Sequence, residues 1–214
     1  CFDMDGFVSY LKQAGVNIVN ESYVTQGSNE AGPLIADYGI RKLPALILGP
    51  GLSEYPQVLS AFRQANLTEK GGNFLLEALQ PPYIEVPTGK LKGMVEMVEI
   101  SDKSCKECYN VSALTSALDM GIGIGKFSAY DISQNAGKSL LKKYNITLVP
   151  TILISPGFSE YTFLSGSWLG VGTVEADGWH VLRKVQNMGI YKNLTSGEII
   201  NATAAVDEAG MGHE

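Results

Sequence analysis

An internal repeat is the feature of this sequence that most restricts its fold. Residues 34–55 (LIADYGIRKLPALILGPGLSEY) align with residues 140–161 (LLKKYNITLVPTILISPGFSEY) at a constant offset of 106, and nine of the 22 positions are identical. After a two-residue insertion, the alignment resumes between 83–89 and 191–197. The repeat therefore predicts two homologous units, residues 1–89 and 90–200, followed by a mobile acidic tail over 201–214.

Charge and hydropathy exclude two classes of partner. The chain carries 16 Lys and Arg against 22 Asp and Glu, and its net charge of -6 argues against a nucleic-acid partner. Hydrophobic residues make up 45% of the chain, which is enough for a core. The apolar runs, such as 43–48, fall far short of the roughly 18–20 residues that span a bilayer. We therefore expect no nucleic-acid partner and no membrane span.

Hydrophobic periodicity predicts strands and helices in alternation within each unit. In the second unit we expect strands at 92–101 and 125–133, helices at 110–121 and 136–145, a buried strand at 151–156 with 160–168 as its hairpin partner, and a closing helix at 177–189. In the first unit we expect helices at 5–15, 33–39 and 71–80, with strands at 16–24 and 45–50. The fold class is therefore α/β.

Cys105 and Cys108 lie in the sequence SCKECYN, and this spacing indicates metal binding or redox chemistry. The pair falls in the turn between a predicted strand and a predicted helix. We expect Cys105 at the helix N-terminus, where unpaired N–H groups and the helix dipole favour the thiolate, with Lys103 and Lys106 adding positive charge. Cys108, one helical turn further on, would resolve a mixed disulfide.

Two simpler interpretations of the cysteine pair remain. One is half of a zinc site, although His180 falls in a predicted helix and His213 in the tail, so neither completes it. The other is a pair of buried, unreactive thiols.

The strand, the CxxC pair opening a helix, and YNITLVPTILI about forty residues later resemble the thioredoxin superfamily. The resemblance implies that Glu99, six residues before Cys105, is a buried acid with a raised pKa that exchanges protons with Cys108. It also implies that Pro150 is a cis-proline facing the cysteines and that the backbone of Val149 pairs with the substrate. No bound cofactor is implied. The alternative for Glu99 is a side chain that points to solvent.

The tandem organisation resembles archaeal protein disulfide oxidoreductases and protein disulfide isomerases. It implies two tandem thioredoxin-like domains, each a central mixed sheet flanked by helices, with the first lacking its beginning and inactive. Pro44 matches Pro150, but only one complete CxxC is present. Cys1 has three interpretations: the second cysteine of another CxxC, the lipidated first residue of a processed surface protein, or a remnant in an inactive domain.

The function implied is a thiol–disulfide oxidoreductase that acts on protein clients and is recycled by a redox partner. The first alternative is a non-catalytic interaction or cell-surface module in which the cysteines form a structural disulfide. The second is a glutathione-dependent glutaredoxin, which rests on Asp177 and Gly178 downstream of the shared Val-Pro element.

Six N-x-[ST] sequons point to the compartment, at Asn20, Asn66, Asn110, Asn145, Asn193 and Asn201. This is about four times the number that the Asn, Ser and Thr content predicts by chance. We therefore expect an extracytoplasmic or cell-surface protein, with a cytoplasmic location as the alternative. Asn145 aligns with Gly39, so a left-handed helix cap also accounts for it.

Overall fold

The computed structural model describes residues 3–119 and 121–201, apart from the side chains of 117 and 119. The chain divides into two compact units, one ending at Lys92 and one beginning at Gly93. Both are mixed α/β, as predicted. The three interpretations of Cys1 and the prediction for residues 202–214 lie outside the described residues. Among the described residues, no helix has the length and apolar character needed to cross a bilayer.

The described part of unit one contains three α-helices and six strands. They are α1 (Asp5–Gln13), α2 (Ala31–Tyr38), β1 (Lys42–Leu43), β2 (Ala45–Leu48), α3 (Pro56–Gln64), β3 (Thr68–Lys70), β4 (Asn73–Glu77), β5 (Tyr83–Glu85) and β6 (Lys90–Lys92). One antiparallel sheet has the order β2-β4-β3 and the other the order β1-β5-β6. The core lies around the fully buried Leu76, with Phe62 and Phe74 packed beside it.

Two predictions for unit one are wrong. The expected helix at 71–80 is strand β4, because Gly71 and Gly72, both with positive φ, form a two-residue turn that pairs it with β3. Residues 16–24, all of which the structure describes, form no strand, and Val19 and Tyr23 are exposed. Helices α1 and α2 and strand β2 confirm the other three predictions.

Unit two is built around a five-stranded sheet. Its elements are β7 (Met94–Ser101), α4 (Ser112–Asp119), β8 (Gly123–Asp131), α5 (Asn135–Lys143), β9 (Leu148–Val149), β10 (Thr151–Ile154), α6 (Thr162–Trp168), β11 (Gly172–Val174), β12 (His180–Leu182), β13 (Tyr191–Asn193) and β14 (Ile199–Ile200). The sheet order is β11-β12-β10-β7-β8, in which β7 and β8 are parallel and the other pairs are antiparallel. A parallel pair joined through a helix, followed by antiparallel strands, is consistent with a thioredoxin-like fold.

Strand β10 lies at the centre of the unit-two core. All four of its residues are buried, as expected for a strand covered on both faces. Ile152 and Ile154 pack with Phe158, whereas Leu153 faces the opposite side and packs with Ile100 and Val181. This double core fixes β7, the neighbour of β10, and with it the loop that follows β7.

Two predictions for the second half of unit two are wrong. The expected hairpin partner at 160–168 is helix α6, because Leu164 and Trp168, four residues apart, place one helical face on the core around Phe158. The expected closing helix at 177–189 is strand β12 followed by a short 3-10 turn, because its residues pair with β10 and β11. The helix ending at Asn145 is confirmed as α5, and Asn145 takes the left-handed conformation there, as Gly39 does after α2.

Candidate functional site

Cys105 and Cys108 form a disulfide in the loop between β7 and α4. Their sulfur atoms are 2.07 Å apart and their Cα atoms 5.5 Å apart. Cys105 is 8% exposed, whereas Cys108 is half-buried, so the second cysteine is the more accessible of the two. Among the described residues, no group of three or more His, Cys, Asp or Glu is placed to hold a metal ion.

The prediction that Cys105 lies at the N-terminus of a helix is wrong. Helix α4 begins at Ser112, whose N–H donates to Oδ1 of Asn110. The chain turns earlier instead: Asp102 accepts hydrogen bonds from the N–H and the hydroxyl of Ser104, and its carbonyl accepts from the Cys105 N–H. Such local bonding to Asp competes with helix formation. The dipole of α4 therefore does not act at Cys105.

Asp102 instead supplies a charge beside the disulfide. Its Oδ2 lies 2.6 Å from Nζ of Lys192, and the two side chains are 4% and 21% exposed. Burial raises the pKa of Asp102, but the hydrogen bonds from Lys192 and Ser104 outweigh it, so that the pKa is below its usual value. Sequence reasoning missed this pair because 90 residues separate its members.

Glu99 is 7% exposed, which excludes the solvent-facing alternative. Its carboxylate accepts hydrogen bonds from the hydroxyl of Thr115 at 2.5 Å and from that of Ser112 at 3.4 Å. These bonds join Glu99 to α4, not to a cysteine. The carboxylate lines a cavity of about 340 Å³ whose wall also includes Ser116, Ile124 and Phe127. The half-exposed Phe127 places this cavity at the surface.

The peptide bond between Val149 and Pro150 is cis, and both residues are buried. Tyr109, which directly follows Cys108, donates its hydroxyl hydrogen to the Pro150 carbonyl at 2.6 Å. Burial raises the pKa of Tyr109 strongly, and the charge of Glu99 raises it further. Tyr109 thus links the cysteine loop to Pro150.

The edge of strand β9 at Val149 is paired with another strand of the same unit, β13. Val149 pairs with Lys192, so β13 lies where the resemblance places an extended substrate. Unit one has the same arrangement: Leu43 precedes a cis peptide bond to Pro44 and pairs with Ile84 of β5. The described part of unit one contains no cysteine.

The remaining charged residues singled out in the sequence have other partners or positions. Lys103 is exposed, and its N–H donates to Oδ2 of Asp131 at 2.7 Å; Lys106 is exposed as well. Asp177 forms an ion pair with Lys143 at 2.8 Å. Asp177 also accepts a hydrogen bond from the hydroxyl of Tyr144. Asp177 is therefore bound to α5 and its end, and it does not begin a helix.

No protein-family model matches this chain, and no curated protein is similar to it. Among solved structures, the chain is similar to a thioredoxin from Thermus thermophilus, determined in solution, with 12% sequence identity and a TM-score of 0.26. The match covers 56% of this chain and 75% of that chain.

Proposed function

We propose that the protein is a thiol–disulfide oxidoreductase that exchanges disulfides with protein clients through Cys105 and Cys108. The observation that carries the proposal is the disulfide itself: it joins residues three apart, leaves Cys108 partly exposed, and lies in a loop linked to the cis peptide bond at Pro150. A disulfide that closes so small a loop and has an accessible sulfur is suited to thiol–disulfide exchange.

Exchange in the reducing direction takes two steps. The thiolate of Cys105 attacks one sulfur of a client disulfide, which forms a mixed disulfide and releases one client thiolate. The thiolate of Cys108 then attacks the Cys105 sulfur, which releases the second client thiolate and forms the Cys105–Cys108 disulfide. The client gains two electrons, and a recycling partner restores the dithiol. The reverse steps oxidise a client.

Serine variants test which cysteine bonds to the client. If Cys105 attacks, Cys108→Ser accumulates mixed disulfides with clients and Cys105→Ser does not. The greater exposure of Cys108 favours the opposite order, in which Cys105→Ser is the trapping variant. Non-reducing mass spectrometry of each variant after incubation with an oxidised client reads the result. Loss of exchange in both variants with no trapping contradicts the proposal.

Glu99 is proposed to take the proton from Cys108 as the second step begins. Its burial under α4 supports this role, because a carboxylate shielded from bulk water can serve as a positioned general base. We expect Glu99→Gln to slow exchange mainly near neutral pH, as followed in a pH–rate profile. Glu96→Gln is the matched control, because Glu96 lies on the same strand but pairs with Lys126 at the surface. An unchanged profile in Glu99→Gln removes Glu99 from the mechanism.

The redox potential of the Cys105–Cys108 pair decides whether the protein reduces or oxidises its clients. It is measured by equilibrium in glutathione buffers, with alkylation and mass readout. A potential near about -270 mV indicates a reductant, and one between roughly -120 and -180 mV indicates an oxidase or isomerase. A potential below about -300 mV, with thiols that barely react, contradicts the proposed exchange.

The second candidate function is a non-catalytic interaction module in which the disulfide is structural. The burial of Cys105 and the pairing of Val149 with β13 favour it. It predicts a disulfide that resists mild reductant in the folded protein. For either function, the six sequons support an extracytoplasmic or cell-surface location as part of the proposal.

A further inference from the structure

The C-terminal hairpin, strands β13 and β14 with the turn between them, contacts the disulfide loop on both sides. Lys192 of the hairpin forms the ion pair with Asp102, three residues before Cys105. The carbonyl of Ile190, which leads into the hairpin, accepts a hydrogen bond from the N–H of Tyr109 at 2.8 Å. The two cysteines thus lie between the two points of the loop that this segment holds.

The hairpin also occupies one edge of β9, the strand that ends before the cis-proline. Lys192 and Asn193 pair with Val149 and Leu148 of β9. A strand edge has a single row of N–H and C=O groups, so an extended polypeptide can pair there only after β13 has left. A small thiol needs no strand edge, and Cys108 is partly exposed while the hairpin is in place.

The ion pair makes the unit-two hairpin different from its counterpart in unit one. Both units have a hairpin that pairs with the residue before a cis-proline, so the hairpin itself is a general part of the repeat. The residue that pairs there is Ile84 in unit one but Lys192 in unit two. Breaking a buried pair leaves an uncompensated charge, which is strongly unfavourable. An ion pair beside the disulfide loop therefore holds the unit-two hairpin, and Ile84 at the matching position of unit one has no charge with which to form one.

We propose that the C-terminal hairpin competes with polypeptide clients for the edge of β9, and that the ion pair between Lys192 and Asp102 sets how readily the hairpin is released. The inference rests on the exchange proposed above. The hairpin makes the oxidised protein selective: small thiols reduce the disulfide without moving it, whereas a polypeptide thiol must displace β13. In either case two thiols become one disulfide as Cys105 and Cys108 become thiols.

The test compares two reductants of the disulfide in the full-length protein. One is dithiothreitol, and the other is an unstructured ten-residue peptide with two cysteines. Rate constants come from alkylation and mass readout. In Lys192→Met we expect the ratio of the peptide rate to the dithiothreitol rate to rise about tenfold, which corresponds to about 1.4 kcal/mol of weakened hairpin pairing. Removal of a charge beside the disulfide changes both rates. The ratio of the two rates therefore reports the access of the peptide to the disulfide.

Two further variants complete the test. Asn193→Ala removes the side-chain bonds to the N–H groups of Thr195 and Ser196 that shape the hairpin turn, without a change of charge, and we expect the same ratio to rise. Lys143→Met is the matched control, because it removes a surface ion pair of the same unit, and its ratio should equal that of the wild type. Far-UV circular dichroism verifies the fold of each variant.

Each outcome has a separate meaning. Unchanged ratios in Lys192→Met and Asn193→Ala, with both reductants still reacting, overturn the competition and leave the proposed exchange intact. A disulfide that neither reductant opens in the folded protein overturns both. A raised ratio in the two hairpin variants, but not in Lys143→Met, supports the competition.

Discussion

His180 is the one described residue of unit two whose buried side chain carries an unpaired polar atom, its Nδ1. The ring is 2% exposed and lies edge-on to Phe158, with ring centroids 5.0 Å apart, and also contacts Trp168. Burial lowers the pKa of His180, because a proton on the ring would place a charge in the apolar core.

This shift predicts a loss of stability in weak acid. Because the folded pKa of His180 is lowered, the unfolded chain binds more protons as the pH falls below about 6.5, and the free energy of unfolding decreases. Urea denaturation at pH 7, 6 and 5 measures the slope. In His180→Leu, which does not titrate there, we expect a smaller slope over the same range. Equal slopes in the two proteins would show that His180 is not the residue responsible.

Asp131 anchors the start of the disulfide loop at Lys103. Its carboxylate accepts hydrogen bonds from the N–H and hydroxyl of Ser133 and from the N–H of Lys103. The hydroxyl of Ser133 contributes most, and together these bonds lower the pKa of Asp131 to about 2.

Removal of the Asp131 carboxylate should destabilise the protein at pH values above the pKa that this group has in the unfolded chain. We expect Asp131→Ala to lower the free energy of unfolding at pH 7 by about 1–3 kcal/mol, because it removes three hydrogen bonds to a charged carboxylate. The lowered pKa means that the wild-type contribution is complete above about pH 4 and is lost as the pH falls through about 2. The difference between the two proteins should therefore narrow in acid, as chemical denaturation at pH 7 and pH 3 would show. A constant difference contradicts the assigned cause.

The site was predictable where its chemistry is local in sequence. Cys105, Cys108, Glu99 and the Val149–Pro150 bond could all be placed from the sequence, although their roles remain predictions. The pair between Asp102 and Lys192 could not, because an exposed and a buried lysine look alike in sequence and only the pairing of β9 with β13 brings these two residues together.

Among secondary-structure elements, those that sequence reasoning assigned correctly have one clear period. Helices α1 and α5 have polar and apolar faces, and three of the four residues of β10 are apolar, Thr151 being the exception. Strand β12 shows why others failed: apolar residues around it recur at helical spacing, yet His180, Val181 and Leu182 are all buried within a sheet. Pairing with β10 outweighed the local pattern, as tertiary contacts do for strands. The Gly71-Gly72 turn before β4, by contrast, was a signal in the sequence that pointed to a hairpin.

Two helical glycines test how closely the elements of unit two pack. A Cβ at Gly137 in α5 would lie 2.4 Å from the carbonyl oxygen of Asp131, whereas a Cβ at Gly166 in α6 would meet nothing within 4 Å. Alanine in a helix is favoured over glycine by up to about 1 kcal/mol. We therefore expect Gly166→Ala to leave stability unchanged or raise it, and Gly137→Ala to lower it by about 1–3 kcal/mol through overpacking. Thermal unfolding of both variants measures the contrast, and equal midpoints would contradict this packing.

At the level of the whole molecule, the aligned segments of the repeat fold into the same succession of elements. In each unit a helix leads to a short strand, a cis-proline, a four-residue strand, a 3-10 turn and a second helix. Each unit then forms a hairpin that pairs with the strand before its cis-proline. The aligned segments therefore share one order of elements, and the homology of the two units stays a prediction from the sequence repeat.

The exposure of the sequon asparagines predicts which of them can carry a glycan. Asn20, Asn66 and Asn145 are exposed, whereas Asn193 is half-buried and its side chain is bonded within the hairpin turn. After expression through a glycosylating secretory pathway, we expect glycopeptide mapping to find modification at the exposed sites and the lowest occupancy at Asn193. The highest occupancy at Asn193 would contradict the described hairpin.

Tyr109 joins two neighbours of the disulfide through different atoms. Its N–H bonds to the carbonyl that leads into the hairpin, and its hydroxyl bonds to the Pro150 carbonyl. Thermodynamic linkage makes such a connection reciprocal. If release of the hairpin makes reduction of the disulfide more favourable by a given free energy, reduction makes release of the hairpin more favourable by the same amount. We expect such a coupling to appear as different rates of deuterium exchange at the amide hydrogens of β13 in the reduced and the oxidised protein.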